Sequence, residues 1–70
     1  MALTYRQVET LRHIQGVNDA SGDGARLPTW ELISASNELE GMGLVKTRRR
    51  GRYLTVAGRA ALSPPDAVKD

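Results

Sequence analysis

GMGLVKTRRRGRYLTVAGRAAL, from Gly41 to Leu62, decides how the rest of this chain must be read. Gly43 predicts the end of a helix, because glycine adopts the left-handed conformation of a C-terminal cap without a Cβ clash. Leu44 to Thr47 and Arg52 to Thr55 read as two short strands, with the turn at Arg49-Arg50-Gly51 and Gly51 supplying a positive φ. Leu44 and Leu54 are expected to face the core. Thr55 then caps a short helix from Val56 to Leu62, with Ala57, Ala61 and Leu62 packed inward. Ser63-Pro64-Pro65 ends that helix, since proline cannot continue the hydrogen-bond ladder. Asp66 to Asp70 reads as a frayed, disordered tail. The stretch holds six of the chain's ten basic residues and no Asp or Glu. The remaining residues carry a formal charge of −4, so charge is segregated along a chain whose net charge is +2.

Upstream of this stretch a second helix is predicted, entered with Pro28 in its first turn or Thr29 as its cap. Leu32, Ala35, Leu39 and Met42 recur at helical spacing and make its apolar face. Trp30 and Ile33 are expected to widen that face, with Trp30 filling the core of a chain that has no Phe. Glu31, Ser34, Asn37, Glu38 and Glu40 are left for solvent. Arg26-Leu27-Pro28 is expected to be extended, with a one-residue bridge to the hairpin. Asn18 to Ala25, NDASGDGA, reads as a mobile loop that buries nothing. The first helix opens at Leu3-Thr4-Tyr5-Arg6-Gln7-Val8, where Thr4 and Gln7 form a capping box and Leu3 and Val8 a hydrophobic staple. Tyr5, Val8, Leu11, Ile14 and Val17 form its apolar stripe, and its end is expected between Gly16 and Asn18.

Seventy residues make one domain, one that buries only about 60% of its unfolded surface. There is no Cys and only one His, which argues against a disulfide framework and a thiolate or His-rich metal site. No apolar run approaches the ~20 residues of a membrane span. The opening residues lack the basic-then-apolar order of a secretory signal, so the expectation is a cytoplasmic protein.

Three motifs carry a resemblance. Glu38-Leu39-Glu40-Gly41-Met42-Gly43-Leu44-Val45 resembles the L-E-x-x-G-L-V exit from the recognition helix of winged helix-turn-helix regulators. Tyr53-Leu54-Thr55-Val56-Ala57-Gly58-Arg59-Ala60-Ala61-Leu62 resembles their second wing strand and following helix, and Leu3 to Leu11 their opening helix. The resemblance implies a compact α+β winged helix over residues 3–62, with two main helices, a two-stranded hairpin wing and a short C-terminal helix, followed by the tail at 63–70. Only the sixteen residues from Pro28 to Gly43 are available where a complete helix-turn-helix takes about 20. The chain therefore resembles a trimmed version, of the kind found in small phage or mobile-element proteins.

The candidate functional residues follow from the charge and the resemblance. Lys46, Arg48, Arg49, Arg50, Arg52 and Arg59 form a basic cluster suited to DNA phosphates, where each cation displaces counterions. Ser36 and Asn37 are the second helix's candidates for a DNA contact. Three carboxylates share that helix with them, so the hairpin is expected to dominate and specificity to be modest. The expected partner is double-stranded DNA, bound by a transcription regulator or accessory factor. The alternative is a protein-binding module that modulates a host nucleic-acid-processing complex, its basic patch meeting an acidic protein surface. A homodimer is compatible with so small a core. His13 with Glu9 one turn earlier reads as a surface pair. With no nucleophile, base and pocket together, no enzyme activity, cofactor or metal is expected.

Overall fold

Local signals place each element where the chain begins to satisfy its own backbone. The computed structural model describes residues 3–62. Its elements are α1 (Tyr5–Ser21), α2 (Trp30–Gly41), β1 (Val45–Arg48), β2 (Gly51–Leu54) and α3 (Val56–Leu62). This is the expected α+β order of two main helices, a hairpin and a short closing helix. The tail expected at 63–70 lies outside the described residues. Among the described residues, no helix is long and apolar enough to cross a membrane.

The capping box forms as the sequence implies. The Thr4 N–H donates to Gln7 Oε1 at 2.9 Å, and the Gln7 N–H donates to Thr4 Oγ1 at 3.1 Å. Thr29 caps α2 through the Leu32 N–H, and Thr55 Oγ1 accepts from the Gly58 N–H at 3.0 Å to start α3. The hairpin pairs Val45 with Leu54, Lys46 with Tyr53, Thr47 with Arg52 and Arg48 with Gly51. Each strand sits within one residue of its expected bounds. Arg49 and Arg50 form the turn, and Gly51 takes a φ of 134°, which an L side chain rarely adopts.

The core is aliphatic. Leu11 and Ile14 from α1, Leu39 from α2, Leu44 and Val45 at the first strand, Leu54 from β2 and Ala25 form one buried cluster. Leu3, Val17, Leu27, Met42 and Leu62 pack around it. Each fully buried Leu, Ile or Val of the cluster contributes about 1.5–3 kcal/mol.

Five expectations need correction. Trp30 is 72% exposed, not core. It lies about 180° around α2 from Leu39, so the face that buries Leu39 turns the indole outward. Tyr5 is likewise exposed, because a strict three-residue spacing drifts around a helix of 3.6 residues per turn. Next, α1 does not stop between Gly16 and Asn18 but runs to Ser21, with left-handed Gly22 as its cap. Its last turns are held by tertiary contacts: Val17 packs on the core, Asn18 bonds the hairpin and Asp19 pairs with Arg59. The segment 18–25 therefore does not bury nothing. Ala25 is almost fully buried and forms the single-residue bridge to Arg52, one position before the stretch where a bridge was expected. Finally, Ala57 and Ala61 of α3 are exposed. The residue of α3 that is buried is Gly58, set against the Leu44 carbonyl group.

Candidate nucleic-acid interface

Strand alternation sorts the basic residues of the hairpin. Directly paired residues share a face, and the faces alternate along each strand. Val45 and Leu54, which are buried, pair with each other and define the inner face. Thr47 and Arg52, the next pair on that face, also point towards α2. The Thr47 hydroxyl donates to Glu40 Oε1 at 3.0 Å, and Arg52 Nη1 donates to Asn37 Oδ1 at 2.8 Å and to Ser36 Oγ. Lys46 and Arg48 therefore occupy the outer face with Tyr53, and Arg49 and Arg50 stand at the tip.

The six cations are thus not equivalent. Arg52 is half-buried and holds α2 to β2. Arg50 Nη1 lies 3.2 Å from Asp23 Oδ2, although its side chain remains 74% exposed. Arg59 Nη2 lies 2.9 Å from Asp19 Oδ1, on the far side of the molecule's sequence. Arg48 donates to the neighbouring Thr47 carbonyl at 2.9 Å and is otherwise open to solvent. Lys46 and Arg49 are exposed, and their side chains make no ion pair or hydrogen bond among the described residues. The open set is Lys46, Arg48 and Arg49, with Arg50 adjoining it.

The two α2 candidates separate as well. Ser36 is fully buried, and its hydroxyl accepts from Arg52 rather than facing solvent. Asn37 is exposed beside it, but its carbonyl oxygen is occupied by the same guanidinium. Arg52, Ser36 and Asn37 together fix the angle between α2 and the hairpin.

Two residues outside the basic stretch shape the site, both within the segment 18–25 whose composition reads as loop. Asn18, in the last turn of α1, donates from Nδ2 to the Asp23 carbonyl at 2.9 Å and to the Arg52 carbonyl at 3.2 Å. Its Oδ1 accepts from the Leu54 N–H at 3.0 Å. One amide thus ties α1, the following loop and β2. Asp23 accepts from Arg50, from the Tyr53 hydroxyl at 3.2 Å and from the Gly24 N–H at 3.2 Å. Desolvation raises its pKa, but the bonds from Arg50, Gly24 and Tyr53 and the Arg50 charge outweigh it, so the carboxyl sits below its ordinary value. The Ala25 N–H donates to the Arg52 carbonyl at 2.8 Å and the Arg52 N–H to the Ala25 carbonyl at 3.0 Å, which adds a third, one-residue rung to the sheet. The only sequence signal for this anchoring was the cluster of Asn and Asp between glycines, residues that favour local backbone bonds.

Among the described residues, no group of His, Cys, Asp or Glu is arranged to hold a metal ion. No family model, curated protein or solved structure matches the chain.

Proposed function

We propose that the protein binds double-stranded DNA through the outer face and tip of its hairpin, as a small cytoplasmic winged-helix-type regulator or accessory factor. The observation that carries this reading is the placement of Lys46, Arg48 and Arg49. They share one exposed surface, they are free of carboxylate partners among the described residues, and the hairpin holds no acid. The paired backbone fixes where the stems of Lys46 and Arg48 are presented, although each side chain still gives up rotamer freedom on meeting a phosphate. The resemblance of residues 38–45 and 53–62 to winged-helix motifs supports the same reading. In it, Arg52 positions the hairpin, Arg50 exchanges between Asp23 and phosphate, and specificity is modest because Ser36 is unavailable and α2 presents Glu31, Glu38 and Glu40.

The test is anisotropy of a labelled duplex, titrated at several salt concentrations with the protein and with a variant in which Lys46, Arg48 and Arg49 are replaced by Ala. The reading requires binding at low salt that weakens along a straight log–log line and is lost in the variant. Absence of binding at low salt overturns it, as does equal binding by the variant; the hairpin would then face an acidic protein surface.

A further inference from the structure

The outward side of α2 carries a second surface of opposite sign. Ser36 and Glu40 lie on the helix edge that meets the hairpin, as their bonds with Arg52 and Thr47 show. Glu31 and Glu38 lie on the other edge, against α1, where Glu38 Oε1 accepts from Gln7 Nε2 at 3.2 Å. Trp30 sits between these edges on the solvent side, 72% exposed. Two hollows open along the α1–α2 seam, the first of them bordered by the indole. One, of about 260 Å³, is bordered by Trp30, Glu31, Ser34 and Glu38. The other, of about 380 Å³, is bordered by Glu9, His13 and Glu31. Arg6 lines both and is their one Arg or Lys, set against three carboxylates. None of Glu9, Glu31 and Glu38 makes an ion pair among the described residues.

We propose that this seam docks a basic, arginine-bearing segment of a protein partner. An exposed indole is costly to leave in water, and it offers a flat π face to a cation. A guanidinium stacked on Trp30 can also reach a neighbouring carboxylate with its planar fork, which an ammonium cannot do equally well. The hollows give the stem of such a side chain room to lie between α1 and α2. Nucleic acid is repelled by the same carboxylates, so the seam and the hairpin select different partners. The protein then joins DNA on one side to a basic protein segment on the other. The proposal does not rest on the DNA reading, since no hairpin residue takes part in it.

Trp30 is the only tryptophan in the chain, so its fluorescence reports on the seam directly. The protein is titrated with a short arginine-rich peptide lacking aromatic residues, and with a glutamate-rich peptide of equal length. A saturable change with the arginine peptide alone is expected. Its affinity should fall about 1.5- to 5-fold in Glu31→Gln and in Glu38→Gln, the loss of an exposed charge contact. It should be unchanged in the variant with Lys46, Arg48 and Arg49 replaced by Ala, which separates this result from failure or success of DNA binding. Far-ultraviolet circular dichroism confirms that each variant keeps its helices. A non-saturating response, an equal response to the acidic peptide, or undiminished affinity in the Glu31→Gln/Glu38→Gln double variant overturns the proposal.

Discussion

Replacing Gly58 with Ala should destabilise this protein, although alanine is the better helix former. In an exposed helix interior that substitution gains about 1 kcal/mol. Here α3 is docked by the backbone of Gly58 against residue 44. A Cβ on Gly58 would overlap the Leu44 carbonyl oxygen and come within 3.1 Å of its carbon. The obstacle is backbone rather than the end of a flexible side chain. That carbonyl is itself fixed, because it accepts from the Thr55 N–H at 3.1 Å. The helix must therefore retreat, loosening Leu62 from the core and the Gly58 N–H from its cap on Thr55. Overpacking of this kind costs about 1–3 kcal/mol, to which the lost cap adds about 1 kcal/mol. Set against the propensity gain, the net expectation is a loss of about 1–3 kcal/mol. Each kcal/mol lowers the melting temperature of a domain this small by about 4–8 °C. Thermal and urea unfolding followed by circular dichroism measure it, with Ala60→Gly as the control. Ala60 is exposed in the same helix, so its replacement should cost only the propensity difference of about 1 kcal/mol. A Gly58→Ala protein as stable as the parent, or more so, would refute the docking argument.

Three further outcomes follow from the site. The log–log salt slope for duplex binding should be about −3 to −4, reflecting three or four phosphate contacts rather than six; a slope of about −5 would mean that Arg52 and Arg59 also leave their partners. Asn18→Ala should lower stability in urea by about 1–3 kcal/mol, because it orphans the N–H of buried Leu54 and the Asp23 carbonyl while the Arg52 carbonyl keeps only its bond from Ala25, and a change within error would show that water replaces the amide without cost. Asp23, with its folded pKa depressed, contributes stability that is fully present above the ordinary aspartate range and is lost as pH falls through the lower folded value. The parent should thus be more stable than Asp23→Asn at neutral pH, with the gap closing below about pH 4; a gap that persists in acid would contradict the sign.

The hairpin could be read before the fold was known because its signals are local. Gly51 had to supply the positive φ of a tight turn, and Thr4, Thr29 and Thr55 each stand where an N–H three residues on needs an acceptor. Leu44 and Leu54 are buried as their apolar character implies, but the inward residue of β1 is Val45, paired with Leu54, and Leu44 is buried just before the strand begins. The site was only half legible for the complementary reason. Nothing near Arg50 in sequence reveals Asp23, 27 residues away, and nothing near Arg59 reveals Asp19, 40 residues away. A count of basic residues treats Arg52 and Arg49 alike, whereas the pleat sends Arg52 towards Ser36 and the turn leaves Arg49 in solvent.

Trp30 shows the same division. Composition argued for a buried indole in a chain without Phe, but helix geometry answers to the position of Leu39, and half a turn away there is only solvent. In sequence Gly58 is one letter of a motif, and its burial appears only when α3 lies against Leu44. The sequence by itself determined the order of elements, their caps and turn, and the separation of charge along the chain, all of which depend on neighbours within a few residues. The tertiary structure alone decided which cations remain free, which face of α2 is acidic and aromatic, and how α3 is docked. Those depend on groups brought together by burial of the core, across separations that no local pattern encodes.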